Sequence, residues 1–425
     1  MGGLISQAGL QLVQRRELAD IVIINTCAFI TPAKEEALEE ILLLAQEKKQ
    51  GRHPSHLIVA GCLAQRYGRQ LFAEIPEVDL FIGTGEVPNI VKHILRLTSK
   101  NAGRAAVVTR PDFLMTSQHK RILSNTTVSA YLKISDGCSN RCTYCVIPSI
   151  RGRARSRRPD DILQEAQILA QRGIKEIIIT GQDTTAYGRD LPDRPSLSDL
   201  LKDMAKIKRI KFIRLLYAHP AHISDELLET IAADKKICPY IDLPIQHIDD
   251  DILKAMNRKI TGANIKKIIA QARQIIPHVA LRTSIIAGFP GETKKKFEHL
   301  LHFIRETKFD HLGVFTYSRE EGTKAALLPA RISELEKERR RDIIMQEQAA
   351  ISHKINQELI GRIEEVLIEG RSDRIDYAYS GRCRRQAPEI DGITYVKGQQ
   401  AQVGSIVKCK IIAADDYDLF ARIIE

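Results

Sequence analysis

The chain has 425 residues, 64 Lys and Arg against 53 Asp and Glu, and a formal charge of +11 at neutral pH. That length accommodates about two to four domains and a full core without disulfides. Aromatic residues make up 5% and Trp is absent, which argues against a single-strand nucleic-acid binder built on stacked bases. The positive balance favours an anionic partner, yet it fits a ribosome-associated protein or an ordinary basic enzyme equally well. Eight cysteines occur with no signal peptide and no apolar run of membrane length, so the chain reads as cytosolic with reduced thiols.

Residues 1–100 read as α/β. Ala19–Asn25 is a continuous apolar strand of the kind buried in a parallel sheet. Thr31-Pro32 opens a helix running to about Lys49. His56–Ala60 and Leu80–Gly83 are two further strands. Cys27 and Cys62 each fall just past a strand's C-terminal end, the edge where open α/β sheets bind ligands. Spacing alone leaves inert thiol and metal ligand both open for this pair. Residues 97–127 carry little apolar periodicity and read as an interdomain connection.

Cys138-Ser139-Asn140-Arg141-Cys142-Thr143-Tyr144-Cys145 follows an apolar strand at Tyr131–Ser135. Three thiolates in one loop are an iron–sulfur donor set, whereas structural zinc wants a fourth ligand and no other Cys or His lies close by. Three inert buried thiols would sit among apolar neighbours, and here glycines and charged residues surround them.

Residues 128–330 show six strand-then-helix units. The strands are Tyr131–Ser135, Lys175–Thr180, Phe212–Tyr217, Tyr240–Leu243, Ala280–Ala287 and His311–Thr316. The helices between them include Pro159–Arg172, Ser196–Ala205, Ser224–Ala233, Ala263–Ile275 and Lys294–Thr307. This alternation predicts a parallel sheet with right-handed crossovers, an α/β partial (β/α)6 barrel. The cluster loop, Gly181-Gln182-Asp183, Ala218-His219-Pro220, Pro244–His247, Gly288–Glu292 and Tyr317-Ser318-Arg319 all follow strands, so a barrel gathers them at its C-terminal face. Taken singly, His219 and His247 read as structural histidines.

A charged helix from about Ser333 to Glu358 reads as a solvated connection. Beyond it, Ile363–Ile368, Asp376–Ser380, Ile393–Val396, Ile406–Ile412 and Leu419–Ile424 predict a small antiparallel β-barrel. Cys238, Cys383 and Cys409 have no partner at ligand spacing and read as structural.

Taken together, the chain resembles the radical S-adenosylmethionine (SAM) methylthiotransferases. The C-x3-C-x2-C loop is similar to their cluster loop, Asn25-Thr26-Cys27 and Gly61-Cys62 to their N-terminal cysteine motifs, and the last domain to a TRAM domain. Gln182–Gly188, Arg214–Pro220, Pro244–His247, Phe315–Thr323 and Ala387–Gly392 resemble the RimO type in particular. The resemblance implies three domains: a methylthiotransferase N-terminal domain (1–100), a radical SAM partial barrel with its connecting helix (128–358) and a TRAM-like barrel (359–425). It also implies two 4Fe–4S clusters, one on Cys138, Cys142 and Cys145 with an iron open to SAM, and an auxiliary one on Cys27 and Cys62. For SAM it implies contacts from Gly181, Gln182 and Asp183 to the ammonium, and from Ile286, Gly288, Pro290 and Tyr144 around the adenine. Arg282 reads either as a partner of the SAM carboxylate or as one half of a structural ion pair.

The reaction so implied adds a methylthio group to the β-carbon of an aspartate of ribosomal protein S-twelve of the small subunit. Two SAM molecules take part, one giving a 5′-deoxyadenosyl radical and one a methyl group, with an external reductant and sulfur source. No acid–base side chain is assigned to catalysis, because that C–H bond is not acidic and the cofactor carries the hard step. A tRNA adenosine methylthiotransferase and an inactive ribosome-binding homologue are the alternatives. Residues 361–425 hold ten Lys and Arg against eleven Asp and Glu, which disfavours tRNA, since phosphate contacts dominate nucleic-acid affinity. An acidic corner at Asp415, Asp416 and Asp418 suits a basic ribosomal protein. Arg151, Arg153, Arg155, Arg157 and Arg158 concentrate positive charge after the cluster loop, as an rRNA or aspartate contact or as a solvated edge.

One departure stands out. The family places a further cysteine in a Gly-Cys-x-Lys-Asn segment on a first strand, but the chain begins Met1-Gly2-Gly3-Leu4-Ile5, which resembles the helix after that strand. The expectation is an auxiliary cluster short of one ligand, a sheet without its first strand, and an upstream in-frame segment that encodes both.

Overall fold

The computed structural model describes residues 1–99, 103–123 and 128–424. Parts of the expected connection (100–102 and 124–127) and the last residue of the expected TRAM-like domain lie outside the described residues. The chain forms two compact units that do not follow chain order. The first comprises Met1–Ile122, Asp136–Arg155 and Ser318–Ala326, and the second Leu123–Ser135, Ser156–Tyr317 and Leu327–Glu425.

The first unit is built on a parallel sheet of Ile21–Thr26, His56–Gly61, Leu80–Ile82 and Ala105–Val107, in that spatial order. The last strand lies inside the stretch read as a connection. Three residues of small, weakly apolar side chain give no periodicity to detect, and the pairing with Leu80–Ile82 is what makes them a strand. Helices Thr31–Lys49 and Cys62–Glu74 bury Ile41, Leu44, Leu63 and Leu71 against it. Ile21–Thr26 is an edge strand with one neighbour, and Ile21 to Ile24 are only half-buried. Gly2–Gln7 is helical, as the resemblance implied.

The second unit carries six parallel strands, in two sheets of three. Ser129–Lys133, Glu176–Thr180 and Phe212–Leu215 form one; Tyr240–Asp242, Ala280–Ala287 and His311–Thr316 form the other. An isolated bridge between Ile213 and Ile237 joins them, giving the open arc of a partial barrel. Ser and Thr N-caps (Ser196, Ser224, Thr261, Thr293) accept from the helix backbone and stop the sequence reading within a residue or two of the observed helix starts.

Helix Glu334–Gln357 is not a solvated connection. It packs on the strands Ala280–Ala287 and His311–Thr316, burying Lys337, Arg340, Ile344, Gln348 and Ser352. Polar side chains hid this face from the sequence, because each is buried with a partner: Lys337 Nζ donates to Tyr317 O at 2.9 Å, and Arg340 Nη1 to Glu292 Oε1 at 2.7 Å.

The C-terminal segment is a closed five-stranded barrel in the order Ile363–Arg371, Tyr379–Cys383, Thr394–Lys397, Leu419–Ile423, Ile406–Ala414. The expected all-antiparallel pattern is corrected at one pair, since Thr394–Lys397 and Leu419–Ile423 run parallel. An odd number of strands cannot alternate direction around a closed ring, so one parallel pair is obligatory.

This barrel seals the N-terminal end of the partial barrel. Leu367, Ala387 and Ile406 pack with Val128, Ile178, Phe212, Tyr240 and Ala280. At the centre Glu176, fully buried, accepts from Arg214 Nε at 2.9 Å, from Ser129 Oγ at 2.9 Å and from Arg382. Arg382 also meets Glu369 at 2.7 Å. Glu176, Arg214 and Arg382 thus pair in a space closed to water, with the half-buried Glu369 at its rim.

Candidate iron–sulfur and SAM site

Parallel register explains how Cys27 and Cys62 come together. Thr26 is paired with Gly61, so the two next residues leave the same sheet edge side by side. Gly61 has φ +101°, and a Cβ there would stand 2.7 Å from Thr26 O, so glycine is required before Cys62. Thr26 Oγ1 donates to Ala60 O at 2.7 Å and accepts from Leu63 N at 3.2 Å, fixing the turn on both strands. Cys27 is exposed and Cys62 half-buried.

Cys138, Cys142 and Cys145 lie in the same unit as that pair. Gly137, at φ +79°, approaches so closely that a Cβ would sit 2.3 Å from Arg153 O. Gly137 N bonds Asp136 Oδ1 at 2.9 Å, and Cys138 N bonds Gly152 O at 3.1 Å. Cys145 N closes a turn on Cys142 O at 3.2 Å, and Ala325 N reaches Thr143 O at 2.9 Å. None of the eight cysteines is in a disulfide. A backbone-pinned loop offering three thiols is a donor set that fits a cluster leaving one iron free.

The Phe315–Thr323 signature gains a reason that the sequence did not supply. Buried Glu320 accepts from Lys34 Nζ at 2.8 Å, Arg66 Nη1 at 2.7 Å and Ser318 Oγ at 2.7 Å. Lys34 and Arg66 sit on the helices that follow Cys27 and Cys62, so Glu320 holds both cysteine-bearing turns to one segment. Burial raises the Glu320 carboxyl's affinity for a proton, but hydrogen bonds from Lys34, Ser318 and Arg66 outweigh it and hold its pKa low.

The arginine run is split by the fold rather than presented together. Arg151 points inward to Asp136 Oδ2 at 3.4 Å and Cys62 Sγ at 3.3 Å, and Arg155 donates to Pro111 O. In the second unit Arg157 is buried against Asp161 and Glu165, at 2.7 and 2.6 Å. Arg153 and Arg158 alone of the run are exposed.

Among the SAM residues, Tyr144 belongs to the first unit and the others to the second. Gly181, Gln182 and Asp183 follow the strand Glu176–Thr180, at its C-terminal end. Gln182 Oε1 is buried without a hydrogen-bond partner among the described residues, an acceptor that an ammonium would satisfy. Asp183 is more occupied. Its Oδ1 accepts from Thr185 Oγ1 at 2.8 Å and Ala186 N at 3.2 Å, and Oδ2 meets His222 Nδ1 at 2.8 Å. Burial disfavours its charge, yet the His222 bond prevails and keeps the carboxyl well below the usual range. Burial, aided by the charge of Arg258, pushes His219 down to about 3, so that ring is neutral. Sequence reasoning missed His222, which has no motif and becomes a partner only when the loops after two strands meet.

Ile286 is half-buried at the end of Ala280–Ala287, and its N bonds Gln246 O at 2.9 Å. Gly288 N donates to Glu292 Oε2 at 3.0 Å, while Glu292 also faces Arg340 and the buried His247. His247 accepts from Asp249 N through Nδ1 at 3.0 Å, a structural role. Pro290 is buried beside them. Arg282 departs from this group. It sits at the third position of its strand, roughly 20 Å of extended chain from Gly288. Its guanidinium pairs with Asp242 at 2.9 Å and Asp391 at 3.6 Å, the structural alternative.

With that geometry in place, three families match along the chain: the Radical SAM superfamily over residues 132–304, the TRAM domain over 360–424 and Uncharacterized protein family UPF0004 over 1–83. "Ribosomal protein uS12 methylthiotransferase RimO" of Syntrophus aciditrophicus is 55% identical, over 100% of this chain and 94% of that protein. The protein of the same name from Geobacter sulfurreducens is 48% identical, over 96% of this chain and 90% of its own. The chain belongs to the RimO family of radical SAM methylthiotransferases.

The radical SAM methyltransferase TsrM of Kitasatospora setae matches in fold with TM-score 0.52 at 13% identity, over 83% of this chain and 70% of that one. Membership makes this RimO-family chain a transferase with SAM and 4Fe–4S as cofactors. Among the described residues no helix is long and apolar enough to cross a membrane.

Proposed function

We propose that this chain transfers a methylthio group to the β-carbon of an aspartate in ribosomal protein uS12, in the cytoplasm. The observation that carries the proposal is the pinned three-cysteine loop in a chain of RimO-family sequence along its whole length. Cys138, Cys142 and Cys145 hold the SAM cluster, and Cys27 and Cys62 contribute to the auxiliary one. When bound, these groups supply electron transfer, SAM cleavage and sulfur. The residues do the rest. Gln182 offers its buried Oε1 to the SAM ammonium, while Asp183, held ionised by His222, keeps that edge negative. Ile286, Gly288 and Pro290 are the second unit's residues assigned to the adenine. We place the three domains at 1–100, with the strand Ala105–Val107 added to the first sheet, 128–358 and 359–425, and external donors replenish sulfur and electrons.

Charge favours a basic protein over tRNA as the partner. Arg382, Arg384 and Arg385 spend their guanidiniums on Glu176, Ile237 O and Asp310. Paired acids of the same domain, Glu369 on Arg382 and Asp391 on Arg282, offset these arginines, so the outward charge stays close to the slightly acidic composition, with Asp415 and Asp416 exposed. The test is anaerobic incubation of the reconstituted protein with SAM, reductant, sulfide and either uS12 or tRNA. Mass spectrometry finding the methylthio group on a uS12 aspartate supports the proposal; finding it on a tRNA adenosine overturns it.

A further inference from the structure

Arg151 is the one member of the arginine run aimed at a sulfur. Its Nη2 donates to Cys62 Sγ at 3.3 Å and its Nη1 faces Asp136 Oδ2 at 3.4 Å. Its side chain is 28% exposed and that of Asp136 13%. The fold places it deliberately. Ile147–Arg151 is a short helix leaving the cluster loop and packing on Cys62–Glu74, the helix that Cys62 begins. Arg155 Nη2 donates to Arg151 O at 3.1 Å and pins the end of that helix. Asp136 in turn fixes Gly137 N, one residue before Cys138. A single guanidinium therefore spans the loop of one cysteine set and a cysteine of the other.

We infer that Arg151 is a positioning and potential-setting residue for the auxiliary cluster, donating to the Cys62 sulfur while Asp136 anchors it to the loop of Cys138. The inference rests on the proposal that Cys62 is a cluster ligand. A cation and N–H donor at a ligating sulfur stabilise the more negative, reduced form of a cluster, so they raise its potential. A merely structural arginine would change iron retention or stability and leave the potential where it was. Lys keeps the charge but lacks the fork that reaches Asp136 and Cys62 together.

The experiment uses the full chain, reconstituted anaerobically, in a Cys138→Ala background that removes the SAM cluster. Arg151→Met and Arg151→Lys are compared with their parent by iron content and by potentiometric titration read by EPR. The expected result is a more negative midpoint in Arg151→Met and a smaller shift of the same sign in Arg151→Lys, with iron retained in at least the Lys variant. An unshifted midpoint in every variant that retains iron overturns the role of Arg151 and leaves the cluster reading intact. Loss of iron from both variants makes Arg151 a purely structural residue and overturns the potential-setting role. No iron in the Cys138→Ala parent overturns the role of Arg151, since Cys27 and Cys62 would then hold no cluster by themselves.

Discussion

Glu176 is the group whose removal tests how the small β-barrel is fixed to the partial barrel. The perturbation is Glu176→Gln, which keeps shape but leaves Arg214 and Arg382 with one buried carboxylate fewer. Burial alone would raise the Glu176 pKa, but Arg382 and Arg214 overcome it and hold the value at about 2, against an ordinary 4.5. A gap of that size corresponds to about 3 kcal/mol at about 1.4 kcal/mol per unit. Independently, breaking one side of a buried ion pair costs about 3–5 kcal/mol, so the two routes agree. The assay is urea unfolding followed by far-UV circular dichroism, with Arg382→Met and the double variant alongside. Glu176→Gln should lose about 3 kcal/mol at pH 7, and the double variant should lose less than the sum of the singles, because the orphaned charge goes too. The sign of the pH dependence follows. The folded pKa is depressed, so the stabilisation is complete above the ordinary carboxyl value and drains away as pH falls from 4.5 toward about 2. A parent and Glu176→Gln that differ by less than about 0.5 kcal/mol at neutral pH would mean that Glu176 does not fix the small barrel in place.

Three further outcomes are expected. Cys138→Ala should lower iron by about four per chain, one cubane, and abolish SAM cleavage, as read by iron assay and release of 5′-deoxyadenosine. Gly137→Ala forces a side chain at φ +79° against Arg153 O, so it should lose the same cluster while circular dichroism stays near that of the parent. Gln182→Leu removes the orphaned acceptor and should weaken SAM binding by about tenfold by calorimetry, the worth of one hydrogen bond, with no loss of folding stability.

Local chemistry was enough to read much of this chain. Six buried strands, their capped helices and the three-cysteine loop are set by short-range patterns: apolar runs, Ser and Thr caps, cysteines at fixed spacing. Those patterns act within a few residues, and a sequence displays them directly. Gly61-Cys62 and Asn25-Thr26-Cys27 were visible as motifs, but only the register between Thr26 and Gly61 sets the two cysteines side by side.

What the sequence could not decide is which charges face each other. Arg151 through Arg158 look alike in a row, yet one reaches a cysteine, one is buried on two acids and two stay in solvent. The helix Glu334–Gln357 reads as solvated because a buried Lys or Arg is indistinguishable in sequence from an exposed one; its partners lie tens of residues away. Arg282 and Asp183 follow the same rule, since Asp391 and His222 reach them only across the folded chain. Hydrophobic periodicity is a local property and was determined by the sequence itself. Charge pairing is a property of positions in space, and it was decided only by the tertiary structure.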